Sequence, residues 1–549
     1  MAERFDYIII GAGSAGCVLA NRLTADGRHR VCLLEAGPPD INPFIHIPAG
    51  FMKTLTNPTV NWCYQQEPSA GTDGRIINAP RGKTLGGSSS INGLIFNRGQ
   101  AMDFDVWAQR GNRGWGYADV LPYFMRLERR IGAADERYRG RQGELAITDL
   151  GWQHPLCEAF IEAAVSLGIP RNPDYNGASQ EGVSYVQRTT LGRRRMSAAR
   201  AFLNPARKRA NLRVITAAQA SRILVENGRA TGVTYHLGGR HGSERILLAD
   251  REVVLCGGAV NSPQLLQCSG IGPAGLLNEL GIPLVHDLPG VGENLRDHYA
   301  PRFTARVKNI STINESSRGP KLWWEIAKYF AGAPSIVGLG PTLVYAFWHS
   351  DETVRNHDLQ LTFTPASYHE GVQSQLDTEP GFTIAAWQQR PESRGFVRAR
   401  SADPFDSPRI QPNYLAEEED RRVLLAGMKL SRRLMRAAPL ARYFDYEAYP
   451  GEEIQGDDAL LQIARERGTT TYHLMGTCRM GPKSDPLAVV DDQLRLYGLQ
   501  GLRVADASVM PTMLSANLNA GALMIGEKAA DMILGRPALA PAVLAPRDG

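Results

Sequence analysis

The sequence predicts an α/β fold that begins with a parallel sheet and becomes richer in strands in its second half. A β-rich run over residues 5–10 meets a glycine-rich turn, an apolar helical segment follows, and a second β-rich run ends at Glu35. Strand-like alternation returns over residues 359–367 and 381–391, and residues 418–439 have the periodicity of a helix. Because 549 residues exceed what one hydrophobic core usually supports, we expect two or more lobes.

Composition and charge exclude several classes of protein. Hydrophobic residues make up 43% of the chain and charged residues 21%, which is typical of a folded globular protein and argues against large-scale disorder. The net charge of +5 is spread along the chain, so we expect no nucleic-acid partner. Neither a signal peptide nor a membrane span is recognisable near the N-terminus, so we expect a cytoplasmic protein whose membrane contact is at most peripheral. Seven scattered cysteines without a C-x-x-C pair indicate reduced thiols and no metal site.

The N-terminal βαβ unit has the pattern of a dinucleotide-binding site. Gly11 permits a tight turn, Gly13 lets the backbone approach a pyrophosphate, and Gly16 allows close helix packing. Glu35 is placed to accept hydrogen bonds from an unphosphorylated ribose, which favours FAD or NAD over NADP. The residues that we expect to contact the dinucleotide here are Gly11, Gly13, Ser14, Ala15, Gly16, Glu35 and Ala36.

Two further blocks, residues 82–105 and 258–272, are rich in small residues that let a backbone lie flat against a large planar ligand. They resemble the two signature blocks of the glucose-methanol-choline (GMC) oxidoreductases, a family of FAD enzymes. The resemblance extends from Phe5 to Leu534, so the dinucleotide is expected to be FAD. Some relatives bind FAD covalently through a histidine directly after the serine run. Ile91 stands at that place here, so we expect FAD to be bound non-covalently.

The resemblance implies a Rossmann-type FAD-binding domain with an inserted substrate domain, in which an antiparallel sheet is covered by helices. The fold would be α/β locally and α+β overall. The expected segments are 1–157, 197–300 and 463–535 for FAD binding, 158–196 and 301–462 for the substrate domain, and 536–549 for an extended or disordered tail. The further FAD contacts implied by the resemblance are Arg81, Leu85, Gly86, Gly87, Asn92, Gly93, Leu94, Ala220, Gly257, Asp506, Ala507, Asn519 and Ala520.

The C-terminal stretch TYHLMGTCRMG carries candidate catalytic residues. A flavin takes a hydride from a carbon that bears a hydroxyl only if a base removes the hydroxyl proton, and histidine titrates near neutrality. The matching GMC motif supplies that base through its histidine, here His473. A second segment supplies a His or Asn partner, which the match places at Asn519, with Asn517 as the neighbour to be distinguished from it. Cys478 is interpreted as packing and Arg479 as a structural anchor, since no second ligand stands at metal spacing and a Cys–His pair would have to converge.

The resemblance implies an FAD-dependent dehydrogenase or oxidase that converts a primary alcohol to the aldehyde. The proton would go to His473 and the hydride to flavin N5. No motif in residues 300–462 shows whether the alcohol is aliphatic, aromatic or choline-like, and either oxygen or a quinone-type compound would accept the electrons. A lyase or another flavin chemistry on the same fold and a redox-inert FAD-binding protein stay open as alternatives, and a homodimer stays open as the assembly.

Overall fold

Two sheets organise the chain in a computed structural model that describes residues 2–369 and 375–544. Strands and helices are numbered in chain order. The first sheet has seven strands: β1 (Glu3–Ile10), β2 (Val31–Leu34), β10 (Leu212–Ile215), β11 (Ala218–Glu226), β12 (Arg229–Leu237), β13 (Ser243–Leu255) and β26 (Leu502–Val504). The second has six: β7 (Gly182–Tyr185), β18 (Arg302–Val307), β19 (Val344–Trp348), β20 (Leu359–Thr364), β21 (Gly381–Gln388) and β24 (Phe444–Tyr449).

Short strands and fifteen α-helices complete the described part of the chain. The short strands are β3 (Tyr64–Gln65), β4 (Asn78–Ala79), β5 (Glu128–Arg130), β6 (Leu145–Ile147), β8 (Thr190–Leu191), β9 (Arg194–Arg195), β14 (Ile271–Gly272), β15 (His286–Asp287), β16 (Glu293–Leu295), β17 (Tyr299–Ala300), β22 (Gly395–Arg398), β23 (Arg409–Gln411) and β25 (Thr469–Thr470). The helices are α1 (Ser14–Leu23), α2 (Pro43–His46), α3 (Phe51–Thr54), α4 (Ala101–Gln109), α5 (Tyr117–Leu127), α6 (Pro155–Ser166), α7 (Asn204–Ala206), α8 (Gly258–Cys268), α9 (Ala274–Glu279), α10 (Ile313–Ser316), α11 (Gly319–Ala331), α12 (Glu418–Arg436), α13 (Ala438–Ala441), α14 (Asp457–Arg467) and α15 (Asn519–Ile533).

The first lobe is built on β1, an apolar strand in the middle of its sheet. Ile8 and Ile9 are fully buried, as expected for a strand covered on both faces of a parallel sheet. The sheet order is β10-β2-β1-β13-β12-β11, with β26 beside β13, and β11 and β12 form an antiparallel extension. Helix α15 packs so closely on α1 that a Cβ added at Gly526 would lie 2.9 Å from Ala15 Cα. The Rossmann-type unit expected at the N-terminus is therefore confirmed.

The second lobe confirms the expected antiparallel sheet covered by helices. Its strand order is β24-β18-β21-β20-β19-β7, and every neighbouring pair is antiparallel. The two alternating runs of the sequence are β20 and β21, and the periodic run over 418–439 is α12. Helix α12 ends at Arg436 because Pro439, in the first turn of α13, cannot continue it. A Cβ added at Gly427 would lie 3.0 Å from Ala386 Cβ, so α12 lies directly on the sheet.

The strands of each sheet come from the segments expected for each domain. β7 lies within 158–196, and the other five strands of the second sheet lie within 301–462. Helix α6 begins at Pro155, two residues before the end of the first expected FAD-binding segment at residue 157. Leu156 and Cys157 of this helix belong to the hydrophobic core of the second lobe. The domain boundaries stay predictions.

The described part of the expected tail is extended and docked on the first lobe. Residues 536–544 contain no helix or strand. The backbone N–H of Ala542 donates to the carbonyl oxygen of Ala118 at 2.8 Å, which holds this segment against α5. Residues 545–549 lie outside the described residues.

A buried ion cluster joins the first FAD-binding segment to the first substrate segment. Glu128 is fully buried and accepts hydrogen bonds from both Arg98 and Arg139. Arg139 also forms an ion pair with Asp174, which lies within the segment 158–196. Two buried guanidinium groups therefore share one buried carboxylate.

We expect Glu128→Ala to lower the free energy of unfolding by about 3–5 kcal/mol, because it leaves two buried cations without their shared carboxylate. Thermal unfolding followed by circular dichroism measures the change as a fall in Tm. Asp135→Ala is the matched control, because Asp135 pairs with Arg137 on the exposed surface and screened pairs contribute little. Equal Tm values for the two variants would contradict the prediction.

Candidate active site

A cavity that both lobes line collects most of the residues that the sequence singles out. The glycine-rich turn after β1 forms part of its wall, together with the second sheet and the loop that follows β25. The expected site residues that line it are Gly11, Gly13, Ser14, Ala15, Glu35, Ala36, Arg81, Gly87, Asn92, Gly93, Ala220, Gly257, His473, Asp506, Ala507 and Asn519.

The N-terminal end of α1 offers an anion-binding site to this cavity. Gly13 precedes the helix and no side chain caps it, so the first N–H groups of α1 are left for a ligand. A Cβ added at Gly13 would come no closer than 3.8 Å to the nearest described atom, the carbonyl oxygen of Cys256. The open backbone and these donors fit the pyrophosphate of FAD.

The carboxylate of Glu35 fits the adenosine end of FAD. It is buried, and its two oxygens accept hydrogen bonds from the backbone N–H groups of Ala12 and Gly37, each at 2.9 Å. Burial raises the pKa of Glu35 to about 7, although both backbone hydrogen bonds act to lower it. A carboxylate held in this way can still accept hydrogen bonds from ribose hydroxyls. Ile91 also lines the cavity and offers no nucleophile for a covalent flavin bond.

Five residues expected to contact FAD do not line the cavity, so their contact with FAD stays a prediction. Gly16 instead performs its packing role, since a Cβ added there would lie 2.0 Å from the carbonyl oxygen of Gly11. Ala520 is buried because α15 begins one residue before it, and Ala522 lines the cavity in its place. The residues that support the wall without lining the cavity are Gly16, Leu85, Gly86, Leu94 and Ala520.

His473 lies in the loop after β25 and is held at several points. Its backbone N–H donates to Asp297 Oδ1 at 2.7 Å. Its ring Nδ1 lies 2.9 Å from His298 Nδ1 and 2.8 Å from Thr471 Oγ1. On the other edge of the ring, Nε2 lies 3.0 Å from Asn517 Nδ2. The imidazole is thus fixed with one edge toward His298 and the other toward Asn517.

The hydrogen bonds of His298 determine which nitrogen of His473 carries the proton. His298 Nε2 lies 2.7 Å from the carbonyl oxygen of Gln389, which can only accept, so this nitrogen is protonated. In neutral His298, Nδ1 then has a lone pair and accepts the Nδ1–H of His473. His473 Nε2 is therefore left without a proton, and it accepts from the amide of Asn517.

Burial keeps both imidazoles neutral. It lowers the pKa of His298 to about 4. The pKa of His473 lies well below its ordinary value of 6.5, because of burial first and then the unfavourable interaction of a protonated ring with His298 and with the guanidinium of Arg81. Arg81 lines the cavity and donates from Nη1 to the carbonyl oxygen of Tyr472 at 2.7 Å. Neutral His473 can act as a base at neutral pH.

The structure corrects the partner of His473 from Asn519 to Asn517. Asn519 begins α15, and its Oδ1 accepts a hydrogen bond from Ser14 Oγ at 2.7 Å, beside the glycine-rich turn. Asn517 lies two residues earlier, and its Oδ1 accepts from Tyr345 Oη at 3.0 Å. This bond turns the amide nitrogen of Asn517 toward His473. Helix geometry explains the difference, because the loop before α15 reaches the catalytic end of the cavity while the first turn of α15 reaches the nucleotide end.

Cys478 and Arg479 have structural positions. Cys478 is fully buried, and burial raises the pKa of its thiol well above 9.0, which leaves it unreactive. Arg479 forms an ion pair with Asp485, with an Nη2 to Oδ1 distance of 2.9 Å. Neither side chain lines the cavity.

Sequence reasoning did not assign a site role to His298, which contacts His473, or to Tyr345 and Trp387, which lie next to its partners Asn517 and His298. His298 follows Asp297 at the end of a polar run over 284–298, and this histidine beside an acid is the signal that could have identified it. Tyr345 and Trp387 stand in apolar strands, where an inward aromatic residue is indistinguishable from core without the sheet register.

Comparisons with known proteins agree with this geometry. The GMC oxidoreductase N-terminal model matches residues 5–300, and the C-terminal model matches residues 391–526. Human mitochondrial choline dehydrogenase is 42% identical, over 98% of this chain and 91% of that protein. An alcohol dehydrogenase (acceptor) of Pseudomonas putida is 41% identical, over 96% of each chain.

Solved structures have the same fold. Pyridoxine 4-oxidase from Mesorbium loti superposes with a TM-score of 0.86 at 31% identity, over 97% of this chain and 99% of the other. A formate oxidase variant from Aspergillus oryzae superposes with a TM-score of 0.89 at 27% identity, over 97% and 98%. The two family matches together cover most of the chain, and the cavity fits FAD. The chain therefore belongs to the GMC oxidoreductase family and is an FAD-dependent oxidoreductase.

Proposed function

We propose that this enzyme oxidises a primary alcohol to the aldehyde, with His473 as the base. One observation carries the proposal: the unprotonated Nε2 of His473 lies beside the amide of Asn517. The same cavity is lined by the residues that fit FAD. Relatives named choline dehydrogenase and alcohol dehydrogenase support an alcohol as the substrate.

His473 takes the hydroxyl proton of the alcohol on Nε2. Its Nδ1–H stays hydrogen-bonded to His298, which holds the ring plane fixed while the positive charge develops. The backbone N–H of His473 donates to Asp297 Oδ1, which holds the loop after β25 in place. The proton thus moves to Nε2 of His473, and the imidazole ring does not need to rotate.

Asn517 positions the oxygen of the alcohol. One Nδ2–H donates to His473 Nε2, so the other can bind the oxygen that loses its proton there. Tyr345 holds the amide in this orientation by donating to Oδ1. An amide cannot compete for the proton, so the oxygen is stabilised without a second base.

FAD, held in this cavity, would supply the acceptor for the hydride of the carbinol carbon. The chain contributes the open backbone at Gly13, the carboxylate of Glu35 and the helix N-terminus of α1 to hold it. A GMC-fold lyase would retain a histidine but would leave the flavin oxidised, which flavin absorbance distinguishes directly.

We expect His473→Ala to retain FAD and lower kcat by about 10²–10⁴-fold, because the base is lost. Asn517→Ala should lower kcat by about 10²–10³-fold through the lost oxygen donor. Asn519→Ala is the matched comparison, since Asn519 contacts Ser14 and should lower FAD occupancy more than turnover per bound FAD. Steady-state kinetics with benzyl alcohol, normalised to flavin absorbance, measure all three. An Asn519→Ala enzyme with full FAD but the larger loss of kcat would return the partner role to Asn519.

The pH dependence of kcat/KM should report His473. Below its pKa the histidine holds a proton on Nε2 and cannot accept another, so kcat/KM should fall by about tenfold per pH unit there. Because that pKa lies below 6.5, the profile should be level from neutral pH upward into the mildly alkaline range. Kinetics with benzyl alcohol, which does not titrate in this range, give the profile. If kcat/KM instead began to fall already above pH 7 as the pH is lowered, the assignment of His473 as the base would be contradicted.

The outward face of α11 supports peripheral membrane contact. Trp323, Trp324 and Phe330 are 73%, 65% and 67% exposed. The exposed residues at helical spacing on this face are Pro320, Trp323, Trp324, Ala327 and Phe330, all apolar. Arg193 donates to the carbonyl oxygen of Tyr329 at 2.6 Å and lies with exposed Arg194 beside the helix. Among the described residues, no helix is both long and apolar enough to cross a membrane.

Aromatic side chains beside arginines match the interface of an anionic membrane, where rings lie at headgroup level and cations bind the lipid charge. We therefore favour a peripheral position on an anionic lipid surface. A quinone dissolved in that membrane is then the electron acceptor that we favour over oxygen.

Sedimentation of the holoenzyme with vesicles of phosphatidylcholine and phosphatidylglycerol tests the contact. We expect Trp323→Ser/Trp324→Ser to lower the bound fraction by about tenfold, because the buried apolar area is lost. Ile246→Ser is the control, since Ile246 is an exposed apolar residue of β13 in the other lobe. If wild-type enzyme stays in the supernatant, or if the double variant instead dissociates a dimer, the membrane contact is wrong.

A further inference from the structure

One face of the second sheet lines the cavity with alternate residues of four strands. These are Arg302, Tyr345, Thr362, Thr364, Thr383, Ala385 and Trp387, as the two-residue period of strands requires. The register places Arg302 beside Ala385, Ala385 beside Thr362, and Thr362 beside Tyr345, in one row across the sheet. Three strand spacings, roughly 14 Å of backbone, separate the two ends of this row.

Tyr345, at one end of the row, holds Asn517 and marks the reacting end of the cavity. Arg302, at the other end, is a cation without an assigned role. Within the described residues its guanidinium forms neither an ion pair nor a hydrogen bond, and its electrostatic neighbours are the phenols of Tyr472 and Tyr368. Burial lowers its pKa, which reflects the cost of holding this charge away from water.

The arginines that are buried in the described part of the chain have partners for the guanidinium group, which are carboxylates for most of them and the carbonyl oxygen of Ile45 and Asn92 Oδ1 for Arg195. Arg139 pairs with Glu128, and Arg432 pairs with Glu447 at 2.7 Å. Arg302 is half-buried and faces the cavity without such a partner. A guanidinium in this position is costly to the fold, so its presence indicates a ligand that supplies the missing charge.

The charges around the cavity are divided between its two ends. Its charged side chains, among the described lining residues, are the acids Glu35 and Asp506 and the arginines Arg81 and Arg302. Arg81 already donates to the carbonyl oxygen of Tyr472. Glu35 binds the backbone at the nucleotide end, and Asp506 accepts from Gly258 N–H at 2.8 Å and from Ser262 Oγ at 2.6 Å. Both carboxylates are thus engaged by the first lobe. The sheet face of the second lobe presents a positive charge and no negative one.

Resting on the proposed alcohol oxidation, we infer that the substrate is an alcohol that also carries a carboxylate, and that Arg302 binds this carboxylate. The guanidinium fork matches a carboxylate in shape and in its single charge, whereas a phosphate ester carries nearly two. The width of the row requires a carbon framework between the hydroxyl at Asn517 and the carboxylate at Arg302. A cationic alcohol such as choline meets repulsion at the same place.

Three para-substituted benzyl alcohols of equal framework test this inference, carrying a carboxylate, a methyl group or a trimethylammonium group. For the wild-type holoenzyme we expect kcat/KM to be highest for the carboxylate, by about tenfold or more over the methyl compound, and lowest for the ammonium. Arg302→Met keeps the length of the side chain and removes the charge. The substitution should lower kcat/KM for the carboxylate compound to the value for the methyl compound. The kcat/KM for the methyl compound itself should change by less than about threefold.

An equal loss for all three alcohols in Arg302→Met would show a merely structural role and overturn the inference. A wild-type preference for the trimethylammonium compound would overturn it as well.

Binding of 4-methylbenzoate, which has no hydroxyl to oxidise, separates this inference from the proposed function. Calorimetry on the holoenzyme should show binding that Arg302→Met weakens by about tenfold or more. If no alcohol reduces the flavin but this difference persists, the proposed oxidation fails and the carboxylate site stands. If wild type and variant bind 4-methylbenzoate equally, the carboxylate site is wrong whatever the alcohols do.

Discussion

The hydrogen bond from His298 Nε2–H to the carbonyl oxygen of Gln389 is the constraint on which the active site depends. A backbone carbonyl can only accept, so this bond gives a direction to every hydrogen bond that precedes it. Tyr345 donates to Asn517, Asn517 to His473, His473 to His298, and His298 to Gln389. This series of hydrogen bonds begins at Tyr345 on β19 and ends at Gln389, just after β21. Both of its ends are therefore attached to the second sheet. The C-terminal segment contributes Asn517 and His473, and His298 lies directly before β17. The base is therefore oriented only when the two lobes are in contact.

How far the sequence predicts this protein depends on the kind of signal. Both sheets, the glycine-rich turn and α12 follow from local periodicity and from residues such as Gly11, whose backbone has a φ of +104°. His473 and Glu35 were found because a motif surrounds each of them. The choice between Asn517 and Asn519 depends on where α15 begins, and helix ends are not determined by local pattern to within two residues. Tyr345 and Arg302 become site residues only through strand register, which links positions far apart in the chain.

The electrostatics of the cavity distinguish family membership from substrate identity. The fold and the FAD-binding groups agree with relatives whose names include choline dehydrogenase. The wall that meets the substrate belongs to the second sheet, and there Arg302 gives the cavity a charge of the same sign as choline. A family match over nearly the whole chain therefore describes the cofactor and the reaction better than it describes the alcohol.

The position of β26 has a consequence for how the protein is made. This strand, at Leu502–Val504, fills the place beside β13, and α15 then covers α1. Both elements leave the ribosome after the rest of the first lobe, so the nascent lobe has an open strand edge and an uncovered apolar helix until they appear. Such surfaces are those that chaperones bind and that aggregate when left exposed. FAD can therefore be bound fully only after β26 and α15 have been synthesised.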